Sequence, residues 1–136
     1  MKESKSRVLE ISPAKPKEAK RYFNSKLEFE CDAFDVHEDM KKDLNGFVLL
    51  DARRPESFHT EHIKGAVHFW HASISKKTVK TLSKKEIYVI YCAGVGCNAA
   101  TKAAAKLSKL GFRVKEMIGG IQWWKEQGYP VQKGKR

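Results

Sequence analysis

The sequence predicts an α/β fold: an open, mostly parallel sheet with helices on both faces. Three observations predict it. The apolar runs Phe47–Leu50 and Glu86–Tyr91 lack the alternation of a half-wetted strand, so they read as strands covered on both sides. Helical segments separate the runs, and strand–helix alternation is the pattern of parallel pairing. The runs end in Asp51-Ala52-Arg53-Arg54 and in Cys92-Ala93-Gly94, placing chemistry-bearing residues at the strand ends where open sheets bind ligands.

Size and composition agree with one such domain. The chain has 136 residues, 41% of them hydrophobic and 32% charged, which excludes wholesale disorder, collagen and a membrane bundle. The net charge of +11 suits anionic partners such as a small oxyanion, an acidic protein or nucleic acid, and suits a merely soluble surface equally well. No stretch approaches the roughly 18 apolar residues of a membrane span, and Met1–Arg7 is charged with no apolar segment behind it, so neither an anchor nor a secretory leader is expected. Cys31, Cys92 and Cys97 are too few for a disulfide scaffold, and a reducing cytoplasm is the expected compartment.

The elements follow in chain order. Residues 1 to 15 mix Lys, Ser and Pro and read as a loose lead-in. Ala19, Tyr22 and Phe23 sit at helical spacing within Lys17–Lys26. Leu27, Phe29 and Cys31 alternate with Glu28 and Glu30 and predict a short strand, Cys31 being its buried half. Asp32 is placed to cap a helix running to Asp43, with Val36, Met40 and Leu44 on one face. Asn45-Gly46 predicts a turn into the Phe47–Leu50 strand. Pro55–His62 reads as a short helix and Gly65–Phe69 as a strand. After the Glu86–Tyr91 strand, the Ala- and Lys-rich Asn98–Leu110 is a strong helix former closed by Gly111. Arg113–Met117 predicts a strand, and Gly120–Gln127 a last helix closed by Gly128 with Pro130 beyond.

The richest segment is Cys92-Ala93-Gly94-Val95-Gly96-Cys97-Asn98, between a buried strand and a helix. Its glycines permit positive φ, so successive N–H groups can turn inward as an anion nest. The helix start adds free N–H groups and the positive end of its dipole. A Cys92 thiol there is expected to have a lowered pKa. A cysteine at a strand end is also often inert core, and the loop alone leaves both readings open.

Four segments in register resemble the rhodanese (sulfurtransferase) domain. They are Asp51-Ala52-Arg53-Arg54-Pro55-Glu56-Ser57-Phe58, Glu61-His62-Ile63-Lys64-Gly65-Ala66-Val67, the Tyr91-Cys92 loop, and Gly119–Trp124 followed by Gly128–Val131. The match runs from Phe47 to Val131. It implies a rhodanese-like domain over residues 27–136, preceded by a basic extension and helix over 1–26. It implies a Cys92 nucleophile that takes sulfur from an anionic donor such as thiosulfate and passes it, as a persulfide, to cyanide or a thiol. Backbone N–H groups of Ala93, Gly94, Val95, Gly96, Cys97 and Asn98 would bind that sulfur. No metal or organic cofactor is implied.

Two departures stand out. Cys97 occupies the position where many members carry Arg, and Ala93 and Gly94 occupy positions that are basic in others. Cys92 and Cys97 flank one loop, so Cys97 is a candidate resolving thiol or else a small residue packed at the helix start, and a redox or sulfur-sensing dithiol protein is the alternative function. A non-catalytic module docking an acidic partner is a third reading, and nucleic acid is disfavoured as a partner. A phosphatase or arsenate reductase would want Arg at Asn98. Arg53 with Asp51 or Glu56 is expected to form a structural ion pair, with support of the loop by Asp51 and Arg53 as the other reading. His59/His62 and His68/His71 have metal-ligand spacing without a cysteine pair nearby in sequence, and no metal is expected. Lys102, Lys106 and Lys109 read as a solvated stripe, and Phe112, Trp123 and Trp124 as core and rim.

Overall fold

A computed structural model describes residues 6–44 and 46–134. Met1–Lys5 of the lead-in and Asn45 of the expected turn lie outside the described residues. The main sheet has five parallel strands in the order β1 (Glu30–Cys31), β6 (Arg113–Met117), β5 (Ile87–Tyr91), β2 (Val48–Asp51) and β4 (Val67–His68). Two further strands, β3 (His62–Ile63) and β7 (Val131–Gln132), pair antiparallel as a separate ribbon.

The central strands are covered on both faces. Leu50, Tyr88 and Ile90 pack towards α4 (Ala99–Lys109), together with Ala100, Ala103 and Leu107 from that helix. Their neighbours Leu49, Val89 and Tyr91 pack the other way, among Val36 of α2 (Ala33–Lys41), Phe58 of α3 (Pro55–Thr60), and Ile121 and Trp124 of α5 (Gly120–Glu126). Alternate residues of one apolar run thus serve two cores, which is why these strands show no polar period. No helix among the described residues is long and apolar enough to cross a membrane.

Several boundaries differ from expectation. Helix α1 runs Pro16–Phe29 and crosses residue 26, so the strand expected from Leu27 shrinks to Glu30–Cys31. The spacings Phe23 to Leu27 and Tyr22 to Phe29 continue one helical face, and Leu27 and Phe29 stay exposed at 68% and 64%. Lys115 Nζ donates to the Leu27 carbonyl at 2.8 Å and satisfies part of the helix end. The Asp32 carboxylate accepts the Asp35 N–H at 2.9 Å, the expected cap, but α2 stops at Lys41 and leaves Leu44 exposed. Helix α3 stops at Thr60 because Glu61 is fully extended, and His62 pairs with Gln132 instead.

Candidate active site

Cys92 follows β5 directly, and its side chain joins the α4-side core at 4% exposure. The chain then reverses tightly: the Cys97 N–H donates to the Gly94 carbonyl at 3.1 Å. Residue 97 is thereby brought back over residue 92, and the Cys92 thiol donates to the Cys97 carbonyl at 3.2 Å. The Cys97 sulfur accepts the Ala99 N–H at 3.5 Å, at the start of α4. Gly94 and Ala100 direct N–H groups at the Cys92 sulfur, while Ala93 and Ala99 direct theirs at Cys97.

The expected cradle is therefore only partly formed by residues 93–98. Ala93 and Gly94 contribute. The Cys97 N–H is consumed inside the turn, Val95 stands in solvent at 92% exposure, and Gly96 and Asn98 are exposed. Neither Gly94 nor Gly96 has the left-handed backbone that a glycine nest was expected to use. A Cβ on Gly94 would fall 2.6 Å from Oε1 of Gln122, the end of a flexible side chain that can move aside.

The charge distribution also differs from expectation. Burial pushes the Cys92 thiol up to about 11, against the N–H groups of Ala100 and Gly94, and the adjacent Cys97 reinforces the rise. The carbonyl that accepts its proton favours the neutral form as well. At Cys97 the burial penalty is outweighed by the N–H groups of Ala93 and Ala99, the Cys92 thiol and the Arg53 charge, and its pKa is lowered. Burial also pushes Cys31 up to about 11. The more acidic thiol of the loop is thus Cys97. Iodoacetamide at neutral pH is expected to label Cys97 well ahead of Cys92 and Cys31. Cys92 labelling should then rise about tenfold per pH unit towards 11, because the reactive thiolate is the minor form below its pKa. Peptide-resolved labelling that favours Cys92 at neutral pH would contradict this distribution.

Beneath the loop lies a charged support. Arg53 holds Asp51 with its Nη2 at 2.7 Å and its Nε at 3.0 and 3.1 Å from the two carboxylate oxygens, and Nη2 also donates to the Glu61 carbonyl at 2.6 Å. Tyr91 Oη donates to Asp51 at 2.7 Å and accepts the Ile63 N–H at 3.1 Å. Burial and the Asp51 carboxylate keep the Tyr91 phenol protonated far above its ordinary range. Arg53 pairs with Asp51 as expected. Tyr91, the residue before Cys92, was not anticipated as the link that ties β5 to this pair.

The second support is the start of α5. The N–H groups of Ile121 and Gln122 donate to the carbonyls of Cys92 at 2.9 Å and Ala93 at 3.0 Å. Gly119 and Gly120 both have left-handed backbone, with φ of 88° and 64°. A Cβ on Gly120 would fall 2.5 Å from the Cys92 carbonyl oxygen and 2.6 Å from Gly94 N. The doubled glycine before a helix is the feature of the sequence that permits this close approach.

The other sequence candidates are held separately. His62 donates through Nδ1–H to the Phe58 carbonyl, 2.8 Å away, and its ring stacks on Phe58. His68 Nε2 meets the Arg53 carbonyl at 2.7 Å. No three His, Cys, Asp or Glu side chains come together as a metal site among the described residues. Lys102 and Lys109 are exposed, and Lys106 donates to the His71 carbonyl at 2.9 Å. Trp124 and Phe112 are buried, while Trp123 is half exposed. A cleft of about 460 Å³, lined by Cys31, Asp35, Glu38, Asp39 and Lys115 among others, opens at the starts of β2 and β5, away from Cys92.

The comparison with known families decides the relationship. A model described as a rhodanese-like domain matches residues 35–127. The chain belongs to the rhodanese-like family. Among solved structures, this rhodanese-like chain is similar to the BH2092 protein of Bacillus halodurans, with 41% identity and a TM-score of 0.85 over 89% of this chain and 88% of that one. It is also similar to a rhodanese-related protein of Thermoplasma volcanium, at 30% identity and a TM-score of 0.65 over 76% of this chain and 97% of that one. The thiosulfate sulfurtransferase GlpE of Coxiella burnetii is 30% identical over 62% of this chain and 75% of its own length. An HTH-type transcriptional regulator of Mycobacterium tuberculosis, Rv0324, is 28% identical over 69% of this chain, which spans only 41% of that protein.

Proposed function

We propose that this rhodanese-like chain is a sulfurtransferase that carries sulfane sulfur as a persulfide on Cys92. The observation that supports it best is the placing of the Cys92 sulfur at the strand end, with N–H groups of Gly94 and Ala100 directed at it. In the first half-reaction the Cys92 thiolate bonds to the outer sulfur of the donor, and the donor's sulfur–sulfur bond breaks. With thiosulfate, sulfite leaves with the bonding pair. In the second, cyanide or a thiol takes the outer sulfur and Cys92 leaves as thiolate. The two amides bear the charge that develops on sulfur in both steps.

The proton on Cys92 must leave before the attack, which sets a pH-dependent gate on the first half-reaction. Similarity to a thiosulfate sulfurtransferase supports thiosulfate as donor. No cationic side chain stands within residues 92–98, so attraction of an anionic donor falls to Arg53 and to the +11 net charge. The expected setting is cytoplasmic, with small anionic donors and thiol or cyanide acceptors as partners and an acidic protein as a further one. The chemistry needs thiol groups alone.

The test is thiocyanate formation from thiosulfate and cyanide. Cys92→Ser is expected to lower the rate by about three orders of magnitude or more, because the covalent carrier is gone. A variant that retains wild-type turnover would remove Cys92 from the reaction.

A further inference from the structure

We infer that Cys97 is the resolving thiol of this loop: it attacks the inner sulfur of a Cys92 persulfide, releases hydrosulfide and leaves a Cys92–Cys97 disulfide. This rests on the persulfide reading above and deepens it by stating where the sulfur goes when no external acceptor is at hand.

The geometry carries the inference. The Gly94–Cys97 turn folds residue 97 back onto residue 92, so that the Cys92 thiol reaches the Cys97 carbonyl at 3.2 Å. The two thiols are near enough to shift each other's acidity. Cys97 is held with its sulfur on the Ala99 N–H at the head of α4, a place that favours thiolate over thiol. Cys92 is closed off at 4% exposure, so an external thiol must reach a buried sulfur while Cys97 already lies against it.

Leaving-group chemistry chooses between the two sulfurs of the persulfide. Attack on the outer sulfur expels the Cys92 thiolate, whose thiol keeps its proton up to about 11. Attack on the inner sulfur expels hydrosulfide, the anion of a stronger acid, and lower-pKa groups leave faster. In the step, the Cys97 thiolate forms the new bond to the Cys92 sulfur, the persulfide bond breaks, and hydrosulfide departs with its electron pair. The sulfane sulfur is reduced to sulfide and the two cysteines are oxidised to the disulfide. A dithiol reductant then reopens the disulfide and returns both thiols.

The experiment treats full-length wild type and Cys97→Ser with thiosulfate in the absence of reductant and follows sulfide release and intact mass. Wild type is expected to release about one sulfide per chain and to end about 2 Da lighter than the reduced protein, a change that dithiothreitol reverses. Cys97→Ser is expected to keep an adduct of about 32 Da and to release sulfide about 100-fold more slowly, since it lacks the intramolecular attacker. Cys97→Ala, with circular dichroism to confirm the fold, guards against a local effect of serine. A wild-type protein that keeps the adduct, or a Cys97→Ser protein that releases sulfide at the wild-type rate, overturns the inference while the persulfide reading stands. Absence of any sulfur uptake by all three proteins overturns both.

Discussion

Asp51→Ala is expected to destabilise the fold by about 3 kcal/mol, because it strips the fully buried carboxylate from a mostly buried cation. Asp51 has no exposed surface and accepts hydrogen bonds from Arg53 and from Tyr91. Without it, the Arg53 guanidinium keeps only the Glu61 carbonyl, and the Tyr91 hydroxyl loses the group it donates to. The loss extends to the site. Tyr91 precedes Cys92, and Arg53 contributes to the lowered pKa of Cys97. Chemical denaturation should show the lowered midpoint, and Cys97 labelling at neutral pH should slow in whatever fraction remains folded. Asp51→Asn keeps the size and one acceptor oxygen and should be milder. Wild-type stability in Asp51→Ala would mean that the pair contributes little.

Gly120→Ala is expected to cost about 2–4 kcal/mol and to disturb the loop itself, since left-handed backbone and overpacking both penalise the added methyl. The clash is with the backbone at Cys92, Ala93 and Gly94, which cannot rotate away as a side chain would. Relief requires α5 to move off the loop, and the Ile121 and Gln122 hydrogen bonds to the Cys92 and Ala93 carbonyls go with it. Gly96→Ala provides the contrast within the same loop, because its added methyl meets open space. Thermal unfolding should separate the two variants by several degrees. Equal stability would show that α5 does not clamp the loop.

What could be read from residues alone follows from where the physical signal was local. The apolar runs 47–50 and 86–91, the Asp32 cap and the Ala-rich segment from 98 each carry their own signature, and each formed near the expected place. The ribbon of β3 and β7 has two residues per strand and is joined only across the fold, so no window of sequence announces it. The α1 boundary is ambiguous in sequence because Leu27, Phe29 and Cys31 fit a period of two while Leu27 and Phe29 also fit the helical face begun at Tyr22.

At the site, the order of residues placed Cys92, Asp51 and Arg53 together, and the structure does bring them to one end of the sheet. The direction of the Cys92 shift is illegible in the sequence for a different reason. A glycine loop before a helix implies donors for a thiolate, yet the same packing that aims the Gly94 and Ala100 amides also buries the sulfur and faces it with the Cys97 carbonyl. Burial is a property of the assembled core, and the fate of a carbonyl depends on a turn that residue types alone do not determine. The acidity of Cys97 likewise comes from amides and from Arg53, which lies far away in sequence.

The most direct test of the proposed chemistry is peptide mass mapping of the Cys97→Ser protein after exposure to thiosulfate, before and after cyanide. The expected result is a single added sulfur of about 32 Da on the peptide carrying Cys92, removed by cyanide with return of the free thiol. An adduct on Cys31, or a Cys92 peptide that stays unmodified at every pH up to about 11, would contradict Cys92 as the sulfur carrier.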